Sequence, residues 1–433
     1  MTYTYEDAKA YIFDIPRFSG KNDPEVTKEF LEFIGDISKQ IPVIHVAGTN
    51  GKGSVCAYLC AILKCAGYKA GMFTSPHLES VRERFSLDGE MISRDEFAEC
   101  FNVVNDNLLD FKEKNNHADY HPSFFEFLFF MSVIWYQRKK PDVLILETGL
   151  GGRLDATNSV SAPKLCIITE IGMDHMEYLG DTVEKIAFEK AGIIKNGVPI
   201  VYADKPVSGD VIEKTALERE CEAVSVSNKN YDIINYGSTG IDFSLKTLYH
   251  GNASLSVGGF ASYQVWNASI AYTALEVFSR KCPQFSILQD AYEHGIKSMY
   301  WPGRMERLSD NFIIDGAHNE DGINAFLDSV SRIESDKRYL LYSAVSDKQI
   351  ELIASLIIKS MLFDRIFIAG LESSRAADID RLKACFGDLG ERVSFATNVQ
   401  SGLDAMLSEA DNNTMCYAAG SLYLVGEIKR IFK

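Results

Sequence analysis

The stretch Gly48-Thr49-Asn50-Gly51-Lys52-Gly53-Ser54 has the residue types of a loop that wraps an anion. Glycines let the backbone turn its N–H groups towards one point, and Lys52 adds a charge for β- and γ-phosphates. Ser54 can offer its hydroxyl to Mg²⁺ at the start of a helix, whose positive end faces the same anion. Gly51, Lys52, Gly53 and Ser54 are therefore the expected nucleotide-binding residues. The loop is shorter than G-x-x-x-x-G-K-[ST], and Gly53 separates Lys52 from Ser54. A GTP site calls for an N-K-x-D base-reading string. The nearest match, Asn228-Lys229-Asn230-Tyr231-Asp232, has its Asp one place late, so adenine is the expected base.

Four further groups are expected at strand ends or in the loops just beyond, where parallel sheets bind ligands. They are Ser75 in Thr74-Ser75-Pro76-His77-Leu78, Glu147 after VLIL, His175 in Gly172-Met173-Asp174-His175, and Lys190 in Phe188-Glu189-Lys190-Ala191-Gly192. Singly, each has an ordinary structural explanation: a lone His is often hydrogen-bonded in place, and a Glu after a strand often caps a helix. Together, behind a phosphate loop, Ser54, Ser75, Glu147 and His175 make a metal–nucleotide site. Mg²⁺ prefers hard oxygens and keeps several waters, which suits Glu147 and the hydroxyls better than His175.

These groups need strand ends to hold them. Pro42–Ala47 is a short β-branched run, and Val55, Leu59, Ile62, Leu63 and Ala66 recur at helical spacing until Gly67. Val143–Leu146, Leu165–Thr169 and Pro199–Tyr202 repeat the buried-strand pattern. Apolar strands alternating with helices predict an α/β fold, with a P-loop and a mostly parallel sheet covered on both faces. Residues 231–259 alternate with Gly and Asn turns and predict a small antiparallel ribbon, followed by a helix over Gln264–Arg280. Phe312–Ile314, Tyr339–Ser343, Ile366–Ala369 and Met415–Ala418 predict a second, smaller α/β (Rossmann-like) domain. A chain of 433 residues is long for one core. The division is placed at 1–299 and 300–433, around Trp301-Pro302-Gly303.

Composition narrows the partners. Lys+Arg number 44 against 60 Asp+Glu, a formal net charge of −16. Nucleic acid selects a positive footprint and is not an expected partner. No apolar run is long enough to cross a bilayer, and the start, MTYTYEDAKAYIF, has no signal-peptide pattern. A cytoplasmic monomer without membrane contact is expected. The nine cysteines show no CxxC spacing, so Cys56, Cys60 and Cys65 read as small apolar residues rather than metal ligands.

The strings HVAGTNGKGS, FTSPHL, ETGLGGRLDATN, MDH, EKAGIIK, WPGRME, DGAHN and GSLYLVGEI stand in the order found in folylpolyglutamate and dihydrofolate synthases, which resemble the Mur ligases in mechanism and core. The match runs from about Tyr11 to Glu427, and SPHL and LGGRLDATN resemble the folate branch specifically. The resemblance implies ATP as substrate, two Mg²⁺ ions held by Ser54, Ser75, Glu147 and His175 directly or through water, and a carbamylated Lys190. It also implies that Asn267 reads the adenine and that Arg304 and Asp315 contact the nucleotide from the second domain. His318 and Ser421 would place the incoming glutamate, His318 being the group to receive the amine proton. Phe125, Leu154 and Asp155 would sit against the pterin-bearing substrate. The sequence departs from the family pattern at Tyr263-Gln264 (for His-Gln), Asp347-Lys348-Gln349 (for D-K-D) and Ile34-Gly35-Asp36-Ile37 (for L-G-N-P).

The implied activity is ATP-dependent addition of L-glutamate to a folate or dihydropteroate carboxylate through an acyl phosphate, with Lys52, Lys190 and His318 as the catalytic side chains. A Mur-type ligase for another carboxylate is one rival, but a UDP-sugar-binding domain is expected before its loop, and only 47 residues precede Gly48 here. A P-loop ATPase used as a switch is the other, and it has no need of the second domain.

Overall fold

The computed structural model describes residues 2–15, 22–115, 117–237, 239–346, 348–373 and 375–433. The first sheet contains β1 (Val43–Ala47), β2 (Ala70–Phe73), β3 (Phe85–Leu87), β4 (Glu90–Met91), β5 (Val143–Glu147), β6 (Leu165–Ile168), β7 (Ile200–Ala203) and β8 (Ala223–Val226). Their order is β4-β3-β2-β5-β1-β6-β7-β8, parallel except where β3 and β4 turn back at one edge. Strand β5 shows why its sequence is a continuous apolar run. Val143 and Ile145 pack on one face, against the helix Lys52–Cys65. Leu144 and Leu146 pack on the other, against the helix Phe124–Lys139. A strand covered on both sides has no polar face to alternate. The helix Phe124–Lys139 is itself buried from Phe124 to Tyr136 except at Phe125, so it has almost no solvent stripe.

The expected ribbon is present as β9 (Tyr231–Tyr236), β10 (Gly240–Lys246) and β11 (Asn252–Gly258), all antiparallel. Its inward residues Ile241, Phe243, Leu245, Leu255 and Val257 join the core beneath the helices Lys52–Cys65 and Tyr263–Lys281. The remaining strands are β12 (Glu306–Ser309), β13 (Phe312–Ile314), β14 (Lys337–Tyr342), β15 (Arg365–Ala369), β16 (Val393–Ala396) and β17 (Thr414–Ala419). They form a separate sheet in the order β12-β13-β17-β14-β15-β16, parallel apart from β12. Leu340 and Tyr342 face one core while Tyr339 and Leu341 face another, so this sheet too is covered on both sides.

Six short strands, β2, β3, β4, β8, β12 and β16, were absent from the sequence-based expectation. Strand β2 reads Ala-Gly-Met-Phe, and β8 lies at an edge with Ala223 and Ser225 exposed. Neither presents the long β-branched run that marks a buried strand.

Candidate active site between the two sheets

Parallel pairing sets the position of the first group of residues. Strand β1 lies between β5 and β6, with Val46 beside Glu147 and Ala47 beside Ile168. Strand β2 ends next to β5, which brings Ser75 to the same edge, and the Ser75 N–H donates to Glu147 Oε2 at 2.9 Å. The carboxyl ends of β2, β5, β1 and β6 therefore deliver Ser75, Glu147, the Gly48–Ser54 loop and the segment leading to His175 to one place, the usual ligand edge of such sheets.

The loop enters the helix Lys52–Cys65 through Gly51, whose φ is 84°. A side chain there would be strained, and its Cβ would fall 2.4 Å from Asn267 Oδ1. A Cβ at Gly48 would meet Thr169 Oγ1 at 1.9 Å. The N–H groups of Thr49 and Asn50 are taken by the Glu170 carbonyl (2.8 and 3.1 Å), so the first turn of the helix supplies the anion-facing amides. Lys52 Nζ donates to the carbonyls of Gly48 (3.0 Å) and Thr49 (3.1 Å). Ser54 is buried and accepts from Gln264 Nε2 at 3.2 Å; Gln264 in turn accepts from Asn267 Nδ2 at 3.0 Å.

Buried charges here lack direct opposite partners. Glu147 is 2% exposed, and burial holds its carboxyl above the usual range despite the nearby charge of Lys52. Lys190, expected at a strand end, lies instead in the last turn of the helix Val183–Ala191; it is 4% exposed and donates to the Gly48 carbonyl at 2.7 Å, the same oxygen that Lys52 uses. Burial first, and the Lys52 charge second, push its ammonium down to about 7. Burial also pushes His175 down to about 4, so its imidazole is neutral and able to ligate at physiological pH.

The second sheet faces this group across a cleft. Asp315 and His318 follow β13 directly, and the Asp315 N–H donates to Ala418. Asp315 accepts from Tyr263 Oη (2.7 Å), Met305 N (2.8 Å) and Ala317 N (2.7 Å). His318 Nδ1 bonds the Gly316 carbonyl at 2.7 Å; a carbonyl only accepts, so that nitrogen carries the proton and Nε2 is left for other partners. Arg304 donates to Gly303 O at 3.0 Å.

Two cavities meet at this edge. The smaller is lined by the loop, Glu147, Lys190, Asn267, Arg304, Asp315 and His318. The larger, about 870 Å³, is lined by Phe124, Phe125, Leu154, Asp155 and the start of the helix Pro24–Ile34. That volume suits a small organic molecule. Ser75, Pro76, Gly149, Leu150 and His175 line both.

Residues 46–275 match the Mur ligase middle domain, and residues 303–422 match the Mur ligase, glutamate ligase domain. The dihydrofolate synthase/folylpolyglutamate synthase of Bacillus subtilis (strain 168) is 31% identical over 443 residues, spanning 100% of both chains. The chain belongs to the folylpolyglutamate and dihydrofolate synthase family of Mur-type ligases. Among solved structures, Mycobacterium tuberculosis folylpolyglutamate synthase complexed with ADP superposes with a TM-score of 0.89 at 26% identity, over 99% of this chain and 98% of that one. E. coli FolC in complex with DHPP and ADP gives 0.85 at 25% identity, over 99% and 97%.

Within this family frame, two expected site residues have side chains already occupied. Ser421 is 2% exposed, and its hydroxyl accepts from Tyr423 N (3.0 Å) as the cap of the helix Leu422–Ile431. Asp155 lines the larger cavity, yet its oxygens accept from Gly149 N, Leu150 N, Thr157 N and Thr157 Oγ1 within its own loop. The departures from the family pattern also acquire partners. Tyr263 reaches Asp315, and Asp36 braces the loop after residue 159 through Ser161 N (3.0 Å) and Ser161 Oγ (2.5 Å). Asp347 lies outside the described residues, while Lys348 pairs with Asp174. Sequence reasoning quoted Asp174 beside His175 and gave it no role; its acidic type next to a candidate ligand was the available signal.

Cys56 and Cys60 are buried, and burial pushes the Cys60 thiol up to about 12. Among the described residues, no group of three or more His, Cys, Asp or Glu is placed to hold a metal on its own.

Proposed function

We propose that this protein joins L-glutamate to the carboxylate of a folate or pteroate substrate, with ATP converted to ADP and phosphate. The observation that carries this reading is the junction of the two cavities. The smaller has the loop and cations for a triphosphate, the larger has an aromatic wall, and they share Ser75 and His175 as lining residues. A carboxylate at that junction is placed to attack the γ-phosphorus.

In the first step a carboxylate oxygen bonds to the γ-phosphorus and ADP leaves. Lys52 and the amides of the first helical turn offset the charge on the transferring group. In the second step the glutamate amine attacks the acyl carbon, phosphate leaves with the C–O electron pair, and the amine gives its proton to His318 Nε2. An acyl phosphate is lost to water unless the cleft excludes it, a task for the second domain. The division at 299/300 thus separates an ATP-binding part from a glutamate-ligase part in this reading.

The residues present fit Mg²⁺. Glu147 is a buried carboxylate with one N–H donor and a raised pKa, a condition that a bound cation relieves. Ser54, Ser75, Glu147 and His175 would hold up to two ions, with phosphate oxygens and water completing the shell. Such an ion supplies Lewis-acid stabilisation of the phosphoryl oxygens. Lys190, neutral above about pH 7, has the free amine that reaction with CO₂ requires. Its carbamate would be an anion in place of one of two crowded cations. With ¹³C-bicarbonate, a carbamate carbon resonance is expected in the parent protein and not in Lys190→Arg.

Asn267, Arg304 and Asp315 line the smaller cavity and are assigned to the nucleotide, while Phe125, Leu154 and Asp155 line the larger and are assigned to the pterin side. His318 and Ser421 are assigned to the glutamate side on the family resemblance, although the Ser421 hydroxyl caps a helix. Among the described residues no helix is long and apolar enough to cross a membrane. We place the reaction in the cytoplasm, on a monomer, with no nucleic-acid partner. One assay tests the reading. ATP and glutamate are supplied with dihydropteroate or tetrahydrofolate in parallel, and ADP, AMP and glutamylated product are measured. Glutamate-dependent ADP formation with product is expected; AMP in place of ADP would sink the acyl-phosphate route.

A further inference from the structure

We infer that Asp174 is the positioning residue for the amine-transfer step, because its carboxylate clasps three side chains of the second domain. This rests on the ligase reading above.

Asp174 lies in the loop after β6, immediately before His175, and its side chain is 9% exposed. Lys348, itself only 7% exposed, donates its ammonium to Oδ1. Asn319 Nδ2 donates to Oδ2 at 3.2 Å, and His318 Nε2 faces Oδ2 at 3.5 Å. Asn319 also donates to Asn50 Oδ1 at 3.0 Å, within the phosphate loop, while its own Oδ1 accepts from Gly322 N at 2.9 Å. A single carboxylate of the first domain thus gathers an ammonium, an imidazole and an amide from the second, and one of these touches the loop that holds the γ-phosphate. The opposite end of the arrangement is equally fixed. Oδ1 accepts the His175 N–H at 2.8 Å, and His175 sits at φ 50°, a left-handed conformation that a neighbouring carboxylate supports.

The chemistry follows from which step needs which wall. Phosphoryl transfer draws chiefly on the loop, Lys52 and Glu147 of the first domain, with Arg304 and Asp315 of the second beside the nucleotide. Amine transfer needs the second domain's His318 within reach of the acyl group. Lys348 brings a cation, and His318 an imidazole, to a site whose next reactant, glutamate, is an anion. Asp174 balances that charge and fixes where both side chains stand. Without it, Lys348 becomes a buried ammonium lacking this partner, and the second wall loses its register. Small misplacements of reacting groups are costly, on the order of 10²-fold in rate.

The test uses the full chain as parent, Asp174→Asn, Lys348→Met and the double variant. Each preparation is assayed twice: hydroxylamine capture of acyl phosphate with ATP and folate but no glutamate, and single-turnover yield of glutamylated product. For Asp174→Asn, hydroxamate formation within about threefold of the parent and a loss of glutamate transfer of about 10²-fold are expected. Lys348→Met, which alters the far side of the contact, should give the same split. The double variant should be no worse than the poorer single one, as partners in one interaction are non-additive. Equal loss of both steps by both single variants overturns the inference, since a mere structural tie or a disturbed His175 would damage phosphoryl transfer too. Unchanged glutamate transfer also overturns it. A parent that gives no hydroxamate overturns the ligase reading and this inference with it, whereas a normal parent with failing variants isolates the fault to the clasp.

Discussion

The two walls of the cleft handle charge in opposite ways. On the first-domain wall, Glu147 and Lys190 are buried at 2% and 4% exposure without an opposite charge in contact, and burial moves each towards its neutral form. On the second-domain wall, burial also raises the Asp315 carboxyl, but three hydrogen bonds hold it, and Lys348 has Asp174. A wall with unpaired buried charge is built for what binds it, because those costs fall when phosphate or a cation arrives. A wall whose charges are already paired is built for docking. The first wall should therefore govern both chemical steps, and the contacts of His318 and Lys348 on the second chiefly the step that follows closure.

The strongest way to break this comparison is at Lys52. Lys52→Ala should lower kcat/KM by about 10²- to 10³-fold, because it removes a charge aimed at the transferring phosphoryl group. Hydroxamate yield should fall with it; a variant that still forms acyl phosphate at the parental rate would place the loop outside the reaction. Glu147→Gln comes next, with a loss of about 10²-fold on both steps. Removing an unpaired buried charge should leave the melting temperature unchanged or raised, so a sharp fall in stability with normal activity per folded molecule would make Glu147 a structural cap. His318→Ala should be narrower, costing about 10- to 100-fold in glutamate transfer and raising the KM for glutamate. Acyl phosphate formation should survive, and equal loss of both steps would reassign His318 to the nucleotide.

The smallest effect concerns stability alone. His45 is fully buried in β1 with Nε2 at 2.8 Å from Thr157 Oγ1, and burial pushes it down to about 3. Between about pH 6.5 and 3 the unfolded chain binds a proton there that the folded chain refuses, so this contribution is present at neutral pH and lost as pH falls. His175, pushed down to about 4, acts in the same direction. His45→Gln should give a melting temperature that falls less steeply than the parent's from pH 6.5 to 4.5. Parallel slopes would mean that His45 does not contribute.

What the sequence made legible divides along the same line. The first wall is written in contiguous strings, so Gly48–Ser54, Ser75, Glu147 and His175 stand out in the sequence even though β2, the strand before Ser75, does not. Strand β13 was legible for the same reason, as Phe312–Ile314 is a buried run followed at once by Asp315. The second wall's contacts were not. Asp174 and Lys348 are separated by 174 positions, and Tyr263 and Asp315 by 52. Nothing local in either partner names the other. Tyr263 looked like a loss relative to the family pattern, and only its hydroxyl's reach to Asp315 shows what it does instead. Ser421 illustrates the converse, since a resemblance marks it for glutamate while local geometry gives its hydroxyl to a helix start.

The helix Phe124–Lys139 bears on how this protein can change. Its first turn supplies Phe124, Phe125 and Glu126 to the larger cavity, while the residues behind them are packed on every side. Altering that wall disturbs the main core of the domain. The facing wall is different: Pro24, Glu25 and Lys28 line the same cavity from exposed positions on a short helix. Substitutions there leave the core untouched. The cavity thus has one side held constant by folding and one side open to selection, and Pro24, Glu25 and Lys28 are positions where new substrate preferences would be acquired without cost to the core.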